Sequence, residues 1–445
     1  MAKVKMRYPV RQGERGMSLV EILVGVLIGL IGIVVIFQVL SVSENRKRTT
    51  VQGSDAQSAG AIALYTLQRD VQLGGYGFGS ADTKQIGCLV QASDKGDTTP
   101  VPPIPPRPNF TFRLYPIEIV QGAGGASDTI RVLWGNSNQV VTFRDWTPGT
   151  GASSETVPMK EMTGGRAGLD YGDILILTAA PAATPGPETA CAMVQVTDRA
   201  TAFPKEVGFD SDYTLNVGET LHAAATPTPR FNKDVAWPAS VFKNADGSQV
   251  TAGFMFNLGK QPRRLEWQVT PPNDPTAPNR LMMSETLFGG IAPVEASDGM
   301  ISLQAEYGID QNNNDLIDAL EWTEKPPDNS TIVGDPNKPC ADSPSKSWRC
   351  VRAVRVALLA RSAHWDQTFC SPNPQWSSGV DAGGNNSVPL ALKNFVMANV
   401  DGTAPSPADD ACAETPPSPN NWRRYRYSVY ETVIPLRNMI WGTAP

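Results

Sequence analysis

The chain has 445 residues, 38 Lys and Arg against 44 Asp and Glu, a formal net charge of −6, and 8% aromatic side chains. An acidic balance argues against nucleic acid as the main partner, because binding a phosphate backbone needs basic patches. The length exceeds a minimal domain of about 100–150 residues, and six cysteines beside two histidines, with no Cys-x-x-Cys pair, favour disulfides over zinc.

At the amino end, Lys3, Lys5, Arg7, Arg11 and Arg15 stand against Glu14 alone. From Met17 to Leu40 the 24 residues have Glu21 as their only ionisable group, and as a helix they span about 36 Å, enough for a hydrocarbon core of about 30 Å. No small-residue cleavage site ends the run; Ser41-Val42-Ser43-Glu44 leads into Arg46-Lys47-Arg48, which speaks for a retained helix rather than a secretory signal. The basic leader is expected in the cytoplasm and the cysteine-bearing body on the oxidising side. A charge in a membrane span costs about 2.5–3.5 kcal/mol on insertion scales, so Glu21 asks for a specific partner.

Gly16-Met17-Ser18-Leu19-Val20-Glu21 resembles the class III signal of type IV prepilins and type II secretion pseudopilins. The resemblance implies cleavage after Gly16 by a prepilin peptidase, methylation of the new amino terminus on Met17, where the family usually has Phe, and retention of the apolar helix. The cationic amine so created can pair with Glu21 of a neighbouring subunit; burying either charge alone is expensive, and pairing sets subunit register. The plainer alternative is a single-pass anchor with a snorkelling Glu21. Five of the basic residues and one acidic residue precede Gly16, so the mature chain carries about −10.

Past the span, Ile62, Leu64, Tyr65, Leu67 and Val71 recur at helical spacing until Gly74-Gly75, which predicts one long helix over 17–75, membrane-spanning over 17–40. Gly25, Gly29 and Gly32 permit close helix approach. Gly74 to Gly79 reads as a stop and turn, since neither phosphate-loop spacing is met. Thr99 to Pro108, with six prolines, is predicted to be an extended connector. Short β-rich segments then follow at Phe110–Val120, Thr129–Trp134, Val140–Phe143, Ile174–Thr178 and Met193–Val196. Later ones are Leu265–Thr270, Leu281–Leu287, Met300–Tyr307, Val351–Ala360 and Arg424–Leu436. The expected fold class is α+β and type IV pilin-like, a long N-terminal helix packed on an elaborated, mainly antiparallel β-sheet head. Its domains are a leader over 1–16, the helix over 17–75 and a head over 76–445.

Three stretches, Met300 to Asp310, Val351 to Arg361 and Tyr430 to Asn438, look like blocks of the PilW minor pilins. That resemblance implies a minor pilin of the type IV pilus, acting in an assembly-initiation or tip complex and so in twitching motility and adhesion. It also implies partners among other minor pilins, the major pilin, the inner-membrane assembly platform and a tip adhesin, with passage from the inner membrane to the pilus. A large pseudopilin of a type II secretion system is the alternative. A membrane-anchored calcium-dependent binding protein that never polymerises is a second.

Asp310, Asn312, Asn314, Asp318 and Glu321 place side-chain oxygens at positions 1, 3, 5, 9 and 12 of a loop, with the Leu316 carbonyl at 7, the spacing of a Ca²⁺ loop. The usual Gly at position 6 is Asp315, and an unliganded Asx-rich turn is the alternative. The cysteines are Cys88, Cys191, Cys340, Cys350, Cys370 and Cys412, which allow 15 connectivities; Cys340–Cys350 would close a short loop and Cys370–Cys412 would staple the Gly/Asn/Pro-rich stretch between them. No nucleophile elbow, zincin motif or Cys-His signature occurs, and His222 and His364 read as surface or packed residues, so no enzyme is expected. Arg352, Arg355 and Arg361 read as strand-face charges.

Overall fold

The computed structural model describes residues 18–79, 86–97, 103–137, 144–148, 159–162, 169–179, 190–197, 229–232, 253–270, 279–289, 292–310, 312, 314, 316–327, 348–380 and 386–441. The chain divides into two units, Met1–Asp55 and Ala56–Pro445. Helix α1 (Leu19–Leu73) begins in the first and ends in the second. In the first unit the Ser18 carbonyl accepts from the amides of Glu21 and Ile22, and Leu19–Leu40 is long and apolar enough to cross a membrane, with its large side chains exposed.

The second unit holds β1 (Leu89–Asp94), β2 (Arg107–Arg113), β3 (Ile117–Val120), β4 (Thr129–Trp134), β5 (Arg144–Pro148) and β6 (Met159–Met162). Next come β7 (Ile174–Ala179), β8 (Ala190–Gln195), β9 (Gly253–Gly259), β10 (Arg263–Val269), β11 (Arg280–Glu285) and β12 (Val294–Asp298). The chain continues through β13 (Met300–Ile309), β14 (Trp322–Thr323), β15 (Val351–Arg361), β16 (Gln375–Val380) and β17 (Asn386–Asn394). Helix α2 (Pro407–Asp410), β18 (Tyr427–Pro435) and helix α3 (Arg437–Trp441) complete it.

Among the described residues these strands form four sheets: a seven-stranded one ordered β2-β1-β8-β7-β9-β5-β6, a five-stranded one β12-β11-β10-β4-β3, a four-stranded one β14-β13-β15-β18, and the hairpin β16-β17. Every pair is antiparallel except β1 with β8. The protein is therefore α+β with mostly antiparallel sheets, as expected, but the strands are spread over several sheets. The β-rich segment Phe110–Val120 holds the end of β2 and all of β3. Pro116 has no amide to donate to a ladder, and the chain leaves β2 in the seven-stranded sheet to enter β3 in the five-stranded one. The Pro-rich stretch ends in β2, an edge strand, where Pro108 falls at a register shift between Ala92 and Asp94 of β1. Val140–Phe143 lies outside the described residues.

Sequence periodicity explains the core. On the last turns of α1, Ala63, Leu67 and Val71 repeat every four residues and are fully buried, while Ile62, Tyr65 and Arg69 face out. Strand β15 is apolar on both sides because both sides are covered. Val354, Val356, Leu358 and Ala360 join the main core with α1, whereas Ala357 and Leu359 meet Trp376 and Phe395 of the hairpin region. Burying a side chain of that size contributes about 1.5–3 kcal/mol, so this strand anchors both layers. The helix stops where Gly75 takes φ 81 and donates its amide to the Leu133 carbonyl, a conformation that favours glycine.

Candidate functional sites

Three residues, Tyr430 of β18, Asn438 of α3 and Ser297 of β12, hold the end of α1. Tyr430 donates its hydroxyl to the Gln57 carbonyl at 3.1 Å, and its ring lies over Gly60, where a Cβ would come within 2.2 Å of a ring carbon. Asn438 donates from Nδ2 to the carbonyls of Gln72, Leu73 and Gly74 at 3.3, 3.1 and 3.2 Å, adding a side-chain donor at the helix end, where Leu73 also accepts from the Tyr76 amide. Ser297 of the edge strand β12 adds a bond from Oγ to the Ala59 carbonyl at 3.1 Å. None of these was read from the pattern. Gly60 inside a helical repeat, and an Asn closing the last block, were the available signals.

Beneath this contact Asp70 is buried beside Arg69, 3.4 Å away, and desolvation raises its carboxyl above the ordinary range despite that cation. Glu21 sits exposed in the first turn of α1, where a negative charge complements the helix dipole. Gly16 and Met17 lie outside the described residues.

The 310–321 loop follows β13. Asp310 is fully buried and Glu321 nearly so. Their carboxylates accept main-chain amides from inside the loop: Asp310 Oδ1 from Asn314 at 3.1 Å, Glu321 Oε1 from Asn312 at 3.2 Å and Oε2 from Asp318 at 2.8 Å. Asn312 Oδ1 accepts from the Asn314 amide and Asn314 Oδ1 from Leu316, at 3.0 and 2.8 Å. Asp318 Oδ2 accepts from the side-chain amides of Asn312 and Asn314 at 2.9 and 3.3 Å. The six predicted positions are thus brought into one turn, held at its base by Asp310, whose amide donates to the Cys350 carbonyl and whose Oδ2 faces Arg352 Nε at 3.6 Å. No group of three or more His, Cys, Asp and Glu side chains is placed to hold a metal among the described residues; here two of the five side-chain donors are Asn, and the carboxylates are turned onto amides.

Another buried carboxylate, Glu306 on β13, pins the hairpin. It accepts from Ser378 Oγ at 2.5 Å and from the Gly379 amide at 3.1 Å, with Arg355 Nη1 at 4.0 Å. Desolvation raises its carboxyl and, on the partner, lowers the Arg355 guanidinium. Arg355 also stacks on Trp322 at 4.1 Å and Arg361 on Tyr425 at 4.6 Å, so with Arg352 beside Asp310 the three strand arginines have partners of their own. His364 is exposed, and His222 lies outside the described residues. Cys88 is joined to Cys191 and Cys370 to Cys412; Cys350 is also disulfide-bonded, and Cys340 falls outside the described residues.

No curated protein and no solved structure matches the chain. A family model does, over residues 273–438, from just before β11 to the Asn438 that covers the end of α1. That family is one of pilus-assembly proteins rather than of known enzymes, and with an apolar amino-terminal helix it points to membrane anchoring and to partners among pilus components. The stretch includes all three sequence blocks, and over it the chain is similar to the PilW family, type IV pilus-assembly protein W.

Proposed function

We propose that the protein is a minor pilin of the type IV pilus that joins other minor pilins and the major pilin in an initiation or tip complex, and so acts in twitching motility and adhesion. The family match over residues 273–438 supports this reading, since it includes Tyr430 and Asn438, which grip α1. Prepilin peptidase would cleave after Gly16, Met17 would be methylated, and Glu21 would pair with the new amine of a neighbour, two charges that are costly to bury singly. The inner-membrane assembly platform and a tip adhesin are the further partners of this scheme. The deciding experiment is mass spectrometry of the mature amino terminus together with fractionation of sheared filaments. A methylated Met17 and presence in the sheared fraction are expected. Loss of exoprotein secretion with intact twitching would favour a large type II pseudopilin instead, and an unprocessed Met1 would sink both filament readings in favour of a tethered binding protein.

A second reading concerns the loop. We infer that Asp310, Asn312, Asn314, the Leu316 carbonyl, Asp318 and Glu321 bind Ca²⁺, because hard cations take six to eight oxygens on a flexible turn and these residues already share one. Binding would require the carboxylates to exchange amide hydrogen bonds, and Asp310 to leave Arg352. Titration calorimetry of the full chain in detergent should show a binding heat that Asp310→Ala abolishes; no heat with the unaltered chain rejects the reading.

A further inference from the structure

Asp128, one residue before β4, is 2% exposed, and among the described residues no cation lies within ion-pair distance of it. The nearest basic group acting on it, Lys393 of β17, is held by Glu324 at 2.9 Å. The Asp128 carboxylate instead accepts two main-chain amides from different elements, Oδ1 from Gly122 and Oδ2 from Ala305, each at 2.8 Å. Its own amide donates to the Leu303 carbonyl at 2.7 Å. Around it Leu303 donates to Ser127 Oγ at 3.0 Å, Gln304 Nε2 to the Ala126 carbonyl at 2.9 Å, and the Ile119 amide to the Tyr307 hydroxyl at 2.6 Å. One buried carboxyl group therefore sits at the centre of the seam joining the five-stranded sheet, at β3 and β4, to β13 of the four-stranded sheet.

We propose that Asp128 is a proton-operated clasp on this seam, closed when its carboxyl group is neutral and loosened when it ionises. A buried carboxylate without a cation is costly, and opening the seam to water relieves that cost. Burial pushes Asp128 up to about 7; the Gly122 and Ala305 amides oppose the shift, Glu324 adds to it and Lys393 subtracts from it. Tyr307, which also faces the seam and feels Glu118 of β3 and Tyr115, is itself raised by complete burial and stays a neutral hydrogen-bonding partner across this range. The sign follows. The closed seam keeps its proton up to about pH 7, whereas a hydrated Asp releases it near 3.8, so opening becomes easier as pH rises between those values, by at most tenfold per pH unit, and levels off above.

Hydrogen exchange on the full chain in detergent, corrected for intrinsic exchange rates, should show protection of the Gly122 and Ala305 amides falling from pH 5 to 7 and flattening above. In Asp128→Asn that pH dependence should vanish. A wild-type profile that is already flat, or an Asp128→Asn profile with the wild-type slope, overturns the proposal. Should Asp128→Asn not fold, Glu324→Gln supplies the test: it removes a charge that raises Asp128 and releases Lys393, which lowers it, so the midpoint must move to lower pH. An unmoved midpoint also overturns the clasp.

Discussion

The four-stranded sheet and the seven-stranded sheet are built from the same kinds of residue but assembled by different means. In the four-stranded sheet, β13 and β15 are 10 and 11 residues long and nearly every position is buried, so long apolar runs meet in unbroken register from Ser302 to Gly308 of β13 and from Ala353 to Arg361 of β15. In the seven-stranded sheet the strands are 4–7 residues long and their order, β2-β1-β8-β7-β9-β5-β6, jumps across the chain. Strands so short bury too little apolar surface to select one partner, so the order needs cross-links. One is Cys88–Cys191, beside the parallel pair β1-β8. Another is Asp94, fully buried, which takes Arg230 at 2.6 and 2.8 Å and Arg107 at 2.8 and 3.2 Å. Those arginines also donate to the carbonyls of Thr286, Leu287 and Phe288 after β11, tying the sheet to its neighbour. The four-stranded sheet has a buried acid too, but Glu306 is held mainly by hydrogen bonds.

This contrast can be broken or sharpened by mutation. Replacing Cys88 and Cys191 together with Ser should cost most, about 4.7 kcal/mol on the chain-entropy scale for a separation of 103 residues. The Cys370/Cys412 pair, 42 residues apart, should cost about 4 kcal/mol, read by chemical denaturation. If the second loss exceeded the first, the seven-stranded sheet would not depend more on its cross-link. Asp94→Asn should cost about 3–5 kcal/mol, because it leaves a guanidinium with 6% exposure, Arg230, without its counter-charge. A neutral result by thermal unfolding would remove the clamp from the account.

Asn438→Ala should cost about 1–3 kcal/mol, with faster exchange of the amides in the last turn of α1, since the helix end loses the side-chain donor shared by three carbonyls. The smallest expected effect is a slope. Glu306 is raised by burial, so the folded chain retains a proton that the unfolded chain releases near 4.5, and stability falls as pH rises from there towards the raised value. Glu306→Gln should flatten that part of the stability–pH curve, and an unchanged curve would show that the hairpin pin does not titrate.

Legibility follows the same division. Strands β13, β15 and β18 were read close to their true limits because apolar residues on both faces, or at alternate positions, leave a signal within one segment. Phe110–Val120 was legible only as a β-rich segment, because the turn at Pro116 separates two sheets that only long-range pairing distinguishes. The loop ligands were legible as spacing. The contacts of Gly60 and Asn438 were not, because each depends on a residue more than 360 positions away in the chain.

By itself the sequence determined the membrane-length helix, the acidic cysteine-paired body, the α+β class and the PilW-like strands, since composition and periodicity act over a few turns or one strand. Tertiary structure alone decided which strands share a sheet, that Asp94 and Asp128 would be buried with opposite surroundings, and that Tyr430 and Asn438 would seize the end of α1. Those outcomes depend on which desolvated groups meet across the fold, and burial gives a carboxylate its meaning only once its neighbours are in place.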